Sequence, residues 1–245
     1  MKVDIVGDIH GCFNELLQLL ANLGYTMDNG IPIHPDNRSI AFVGDAMDRG
    51  PHSLETMNLL FRLQDAKKII YSPGNHCNKF YRYAKGNKVQ LQHGIETTVA
   101  ELNALSLDKR QHFLKRYIAF YEALPLYASL DNEKLIIAHA GIRENLIGTS
   151  NKKLRSFVLY GDVTGEQLPN GRPVRRDWAQ AYKGAPFIVY GHTPVLEPRF
   201  VHNTVNIDTG CVFGGTLTAL RYPELETVSI PSSQPFISDR FTSFK

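Results

Sequence analysis

Six short, mostly apolar runs in this chain each lead into an aspartate, asparagine or histidine. Val3-Asp4-Ile5-Val6 precedes Asp8 and His10, Ser39-Ile40-Ala41-Phe42-Val43 precedes Asp45, and Lys68-Ile69-Ile70-Tyr71 precedes Asn75 and His76. Lys134-Leu135-Ile136-Ile137 then leads to His139, Phe187-Ile188-Val189-Tyr190 to His192, and Thr204-Val205-Asn206-Ile207 to Asp208. Runs of this kind read as buried strands. Each polar residue therefore sits where a strand ends and the backbone enters a loop, the edge at which open α/β sheets bind ligands. One such ending is an ordinary polar turn, but six of them, all of metal-binding type, are not independent accidents of loop composition.

The segments between the runs alternate with helical patterns. After the first strand, Gly11 opens a helix with Phe13, Leu16, Leu17, Leu20 and Leu23 on one face and Gly24 as its stop. Its amino end faces Asp8 and His10, where free N–H groups favour an anion. Residues 30–37 read as a loop or short hairpin. Pro51 suits the first turn of a second helix carrying Leu54, Met57, Leu60 and Phe61. The order strand, helix, strand, helix, strand predicts an α/β fold with parallel strands.

From His93 to Leu124 the pattern is helical, with Asp108 and Gln111 as a capping box for the second of two helices. We expect this insert, residues 93–124, to form a cap beside the site, with Lys109, Arg110, Lys115 and Arg116 as a solvated face. Turn residues dominate the chain after Ser150, including Pro169-Asn170-Gly171, with Arg172 just beyond. Trp178 and Tyr182 are spaced for one helix face and a place in the core. Strands follow around 215–220 and 227–230, and residues 231–245 form an irregular tail. One domain over residues 1–245 accommodates all of this.

Composition narrows the partners. A formal charge of +3 suits an anionic substrate but is too weak for a nucleic-acid groove. No run approaches the length that crosses a bilayer. Cys12, Cys77 and Cys211 lack zinc-like pairing, and few residues precede the first motif, so we expect a cytoplasmic protein with reduced thiols and no protein partner.

The candidate ligands are carboxylates, an amide oxygen and imidazoles, a set that fits manganese, nickel, iron or zinc. About seven ligands are too many for one ion, and a central carboxylate can bridge two divalent ions about 3.5–4 Å apart. In Gly44-Asp45-Ala46-Met47-Asp48-Arg49-Gly50, a second acid and a guanidinium stand between glycines that let the loop approach a phosphate closely.

The order of these pieces resembles the metallophosphoesterase family, in its calcineurin-like phosphoprotein-phosphatase branch. The motifs are Gly7-Asp8-Ile9-His10-Gly11, the Gly44–Gly50 stretch, Gly74-Asn75-His76, His139-Ala140-Gly141 and Gly191-His192-Thr193. Within it the chain is most similar to the PrpE-type bis(5′-nucleosyl)-tetraphosphatases of bacilli. Gly74-Asn75-His76-Cys77-Asn78-Lys79, His139-Ala140-Gly141-Ile142-Arg143, the run from Tyr160 to Trp178, and Asn206-Ile207-Asp208-Thr209-Gly210-Cys211 carry that likeness. Protein phosphatases of the branch usually have Glu at the place of Cys77 and Gly at that of Ala140, which counts against protein phosphatase activity.

The resemblance implies a sandwich of mixed β-sheets flanked by helices. It implies that one metal takes Asp8, His10 and Asp45 and the other Asp45, Asn75, His139 and His192, with Asp208 either a ligand or a group that orients one. Two cations lower the pKa of a shared water, and the resulting hydroxide attacks phosphorus in line. His76 would protonate the leaving group, oriented by Asp48, while Arg49 and Arg143, with Arg175 or Arg176, would clamp phosphate oxygens. Cys77 reads as packing rather than a nucleophile. The implied substrate is a dinucleoside polyphosphate, diadenosine tetraphosphate, cleaved asymmetrically to ATP and AMP. Alternatives are a phosphomonoesterase or 2′,3′-cyclic phosphodiesterase acting on RNA ends, a serine/threonine protein phosphatase, and a non-catalytic scaffold. GTP binding, attached to such proteins, lacks a Gly-rich Lys-Ser/Thr loop in this sequence.

Overall fold

Period-two alternation decides which way each central strand faces. The computed structural model describes residues 1–168, 171 and 173–244; Pro169, Asn170 and Arg172 of the expected turn region lie outside the described residues. In chain order the elements are β1 Val3–Val6, α1 Phe13–Asn22, the hairpin β2 Thr26–Asp28 and β3 Ile31–Ile33, β4 Ser39–Phe42, α2 Ser53–Asp65, α3 Asn75–Ala84, α4 Ile95–Asn103 and α5 Leu107–Glu122. They continue with β5 Ala128–Leu130, β6 Leu135–Ile137, α6 Lys152–Tyr160, β7 Val163–Gln167, β8 Pro173–Arg175, β9 Phe187–Tyr190, β10 Arg199–Val201, β11 Thr204–Asn206, β12 Thr216–Tyr222 and β13 Glu226–Pro231.

Two mixed sheets dominate, ordered β13-β12-β1-β4 and β10-β11-β9-β6-β5. Val3, Ile5, Ala41 and Val43 of the first meet Leu135, Ile137, Val189 and Val205 of the second in one buried layer. The alternate residues turn outward: Val6, Ile40 and Phe42 pack under α1 to α5, while Ile136, Ile188 and Tyr190 pack under α6 and Trp178. The result is helices, sheet, sheet, helix, the expected sandwich. β1 runs parallel to β4, and β9 parallel to both β6 and β11. The carboxyl ends that carry the candidate ligands thus gather at one edge.

Several elements differ from the sequence reading. The run ending at Tyr71 contributes a single parallel bridge to Phe42 rather than a strand; Pro73 has no N–H to extend the pairing. α3 starts on Asn75 and α6 on Lys152, in stretches whose polar residues hide the helical period. α6 is capped by the Asn151 side chain, which accepts from Leu154 N–H at 2.9 Å. α2 begins at Ser53 rather than Pro51, because the Glu101 carboxylate accepts the N–H groups of Ser53 (2.8 Å) and Leu54 (3.0 Å). α5 begins at Leu107 after Ser106, without side-chain capping, so the Asp108 and Gln111 box is not used. α4 and α5 bury Ile95, Leu102, Phe113, Tyr117 and Phe120 in the same core as α1 and α2, which makes them principal cover for the first sheet. Trp178 and Tyr182 are buried as expected, on a 3-10 turn at Trp178–Ala181.

Candidate metal centre

The loops that leave β1, β4, β6, β9 and β11 converge because the backbones approach unusually closely. A Cβ on Gly191 would lie 2.1 Å from Asp8 Oδ1, and one on Gly74 would lie 2.1 Å from Asp45 Oδ1. Only glycine fits at either place. His10, Asp45, Asp48, Arg49 and His192 all have positive φ, between 41° and 74°. Five left-handed non-glycine residues in one site represent strain that the surrounding core must hold.

Two donor groups form. Ligand atoms of His10, Asp45 and His76 lie within 4.8 Å of one another, and so do those of Asp45, His139 and His192. Asp45 belongs to both. Asn75 Oδ1 is 3.2 Å and His192 Nδ1 3.1 Å from His139 Nε2, with Asp45 Oδ2 at 3.2 Å. Asp8 Oδ2 lies 3.9 Å from His139 Nδ1, and both Asp8 oxygens accept the His192 N–H at 3.3 Å. Asp208 is buried and accepts Gly210 N–H at 3.1 Å.

The tautomers favour a cation. Nδ1 of His10 meets the Met47 carbonyl at 2.8 Å and that of His139 meets the Val43 carbonyl at 3.2 Å. A carbonyl only accepts, so both protons sit on Nδ1 and both Nε2 lone pairs face the basin, the arrangement of ligating imidazoles. His192 differs: Arg175 Nη2 donates to its Nε2 at 2.8 Å, which places the proton on Nδ1, the nitrogen 3.1 Å from His139 Nε2, so His192 presents a lone pair to the basin only once that proton leaves.

Charge points the same way. Burial and the neighbouring Asp208 push the Asp8 carboxyl well above its usual range, and burial raises Asp208 to about 6. Asp45 resists burial and stays well below its usual range because His139, His76 and His10 surround it. Burial opposes charge on His139, but Asp45 and Asp8 draw it up to about 9. An imidazolium there would set two N–H groups against each other across the 3.1 Å gap to His192. A metal cation supplies the positive charge these acids demand without that proton, so the donor set fits divalent ions.

Beside the basin, His76 Nδ1 lies 2.8 Å from Asp48 Oδ2. Asp48 is itself held from two helices. Its Oδ1 accepts from Thr98 Oγ1 at 2.7 Å, and its N–H donates to Ser53 Oγ and Thr98 Oγ1 at 3.0 and 3.1 Å. Thr98 and Ser53 were absent from the sequence reading. Neither carries a local signal, since each looks like a helical residue until α4 and α2 meet. Cys77 donates towards Asp45 Oδ1 at 3.5 Å, and burial pushes its thiol up to about 12, as suits a packing role.

The four arginines divide. Arg49 Nη1 lies 2.5 Å from His10 Nε2 and Arg175 Nη2 lies against His192, so these two reach the basin. Arg143 and Arg176 both pair with Asp162 instead and line a neighbouring cavity of about 510 Å³.

Residues 1–196 match the family model described as calcineurin-like phosphoesterase. The chain belongs to the calcineurin-like phosphoesterases. Among the relatives of this calcineurin-like phosphoesterase, a protein from Geobacillus sp. (strain WCH70) is 57% identical over 244 residues, covering 100% of both chains, and is named bis(5′-nucleosyl)-tetraphosphatase PrpE, asymmetrical. A protein of the same name from Halalkalibacterium halodurans is 58% identical, covering 100% of this chain and 99% of its own. A solved structure described as a candidate diadenosine tetraphosphatase superposes with a TM-score of 0.66 at 22% identity, covering 94% of this chain and 93% of that one. A serine/threonine phosphatase from Saccharomyces cerevisiae gives 0.56 at 14% identity over 98% and 82%. These two likenesses show the fold. Membership of the calcineurin-like phosphoesterases implies divalent metal ions, in agreement with the donor set above.

Proposed function

We propose that this chain hydrolyses dinucleoside polyphosphates at a two-cation centre, splitting diadenosine tetraphosphate asymmetrically into ATP and AMP. The observation that carries the reading is the full-length identity of 57% and 58% with proteins named for that reaction. Since the ligands come from both sheets, we read residues 1–245 as one catalytic unit.

Of the first donor group, His10 and Asp45 would hold one cation together with Asp8, leaving His76 for proton transfer, and Asp45, Asn75, His139 and His192 would hold the other, with Asp208 beside the first; manganese or nickel would suit these oxygen and nitrogen donors best. Bound divalent ions supply Lewis-acid polarisation of phosphoryl oxygens and lower the pKa of water in the site. The guanidinium N–H groups of Arg49 and Arg175, aimed at imidazole nitrogens, turn to nonbridging phosphate oxygens when substrate enters. Arg143 and Arg176 contribute through the wall they form with Asp162. Asp48 fixes a proton on His76 Nδ1, so that a second proton, on Nε2, is available for the departing oxygen. The buried free thiols support a reducing, cytoplasmic setting, and no described helix is long and apolar enough to cross a membrane.

The test is chromatography of products from the manganese-loaded protein. ATP and AMP in equal amounts from diadenosine tetraphosphate support the reading. Two ADP, or turnover of a 2′,3′-cyclic nucleotide or a phosphopeptide in preference to it, would overturn it.

A further inference from the structure

The cavity beside the basin offers what a phosphate site lacks. Three basic side chains on its wall, Arg143, Arg176 and Lys183, are matched by three acidic ones, Glu144, Asp162 and Asp177. Asp162 ties together Arg143 and Arg176, and Asp177 pairs with Arg199. A wall with no net charge has little pull on an anion. It suits a neutral, planar group whose edge donates and accepts hydrogen bonds.

The aromatic surface points to the same occupant. Trp178 and Tyr182 form part of the lining. The Arg143 guanidinium lies 5.1 Å over the Phe157 ring and its side chain is 47% exposed. Braced on one face by an aromatic ring, a guanidinium plane stacks readily on a nucleobase with the other. A volume of about 510 Å³ is in the range of small-ligand pockets.

Position links this cavity to the reacting centre. A Cβ on Gly141 would lie 2.0 Å from the Trp178 ring, and Gly141 follows His139 by two residues, at most about 7 Å of chain. A cleft of about 20 Å³ shares Asp162, Arg176 and Trp178 with the cavity and is also lined by Ala140 and Thr193, the residues after His139 and His192.

We propose that the cavity walled by Arg143, Asp162, Arg176 and Trp178 is a nucleoside subsite, which seats one purine nucleoside of the substrate on the side of the metal centre where Ala140 and Thr193 lie. This deepens the reading of the chain as a dinucleoside polyphosphate hydrolase and rests on it. A nucleoside held so close to the reacting centre places the cut near one end of the polyphosphate. Glu144 and Asn145, also on the lining, supply an acceptor and an amide for the base.

Trp178 is the only tryptophan of the chain, so its fluorescence reports on this cavity. The experiment titrates the metal-loaded protein with adenosine 5′-monophosphate and, separately, with inorganic phosphate, and repeats both with Ala181→Phe, an exposed lining position filled by a larger side chain. Saturable quenching by the nucleotide, none by phosphate, and at least tenfold weaker nucleotide binding in the variant support the subsite. Intact hydrolysis of diadenosine tetraphosphate without a Trp178 response, or with equal nucleotide affinity in Ala181→Phe, would overturn it. Quenching without any hydrolysis would retain the subsite and remove the proposed reaction.

Discussion

Asp48 sets the tautomer of His76: Oδ2 lies 2.8 Å from Nδ1, with the two side chains 0% and 5% exposed. If that pair delivers a proton to the departing oxygen, its loss matters in proportion to the basicity of the leaving group. Asp48→Asn should lower kcat about 100-fold on diadenosine tetraphosphate, at the low end of general-acid effects, and far less on p-nitrophenyl phosphate, whose phenolate leaves unaided. Equal losses on both substrates would contradict the role.

Thr98 is the donor that keeps Asp48 in place, and it is fully buried. Thr98→Val leaves a buried carboxylate oxygen without its partner and should cost about 1–3 kcal/mol of stability. Urea denaturation would show this, together with a fall in kcat that KM does not share. Thr98→Ser should restore both. A valine variant as stable and active as the parent would show that Asp48 does not need the hydroxyl.

Glu101 takes over the amino end of α2 that the sequence assigned to Pro51. Glu101→Ala should destabilise the protein by about 0.5–2 kcal/mol, the range for a lost helix cap. Glu101→Gln should fall between it and the parent in denaturation midpoint.

The contrast between Pro51 and Glu101 marks how far the sequence could be read. Residues that end strands were legible because alternation and turn chemistry are local: Asp8, Asp45, His139, His192 and Asp208 all follow runs that the structure folds together. The second group of donors also includes Asn75 within 3.2 Å of His139, although its strand proved to be a bridge and its loop the start of a helix. Contacts between distant segments were not legible. Nothing near residue 98 announces that its hydroxyl meets Asp48, and nothing near residue 162 announces that its carboxylate engages Arg143 and Arg176. The expected phosphate clamps therefore split into two that reach the basin and two that wall a cavity.

Acid sensitivity should trace partly to the Arg38 network, where hydrogen bonds from that guanidinium hold Glu224 down at about 2. A depressed carboxylate adds stability above its unfolded pKa of 4.5 and loses it as pH falls towards 2. Glu224 is partly exposed, so the contribution is modest. Thermal midpoints recorded between pH 5 and pH 2, roughly the span over which such a group titrates, should fall less steeply in Glu224→Gln than in the parent. Parallel curves would rule the pair out as a source.

The central claim is that one aspartate serves two cations, since Asp45 alone belongs to both donor groups. Anomalous diffraction from crystals soaked in manganese measures this directly. The account predicts two peaks about 3.5–4 Å apart, both in contact with the Asp45 carboxylate and both absent in Asp45→Ala. A single peak, or two that do not share Asp45, would contradict it.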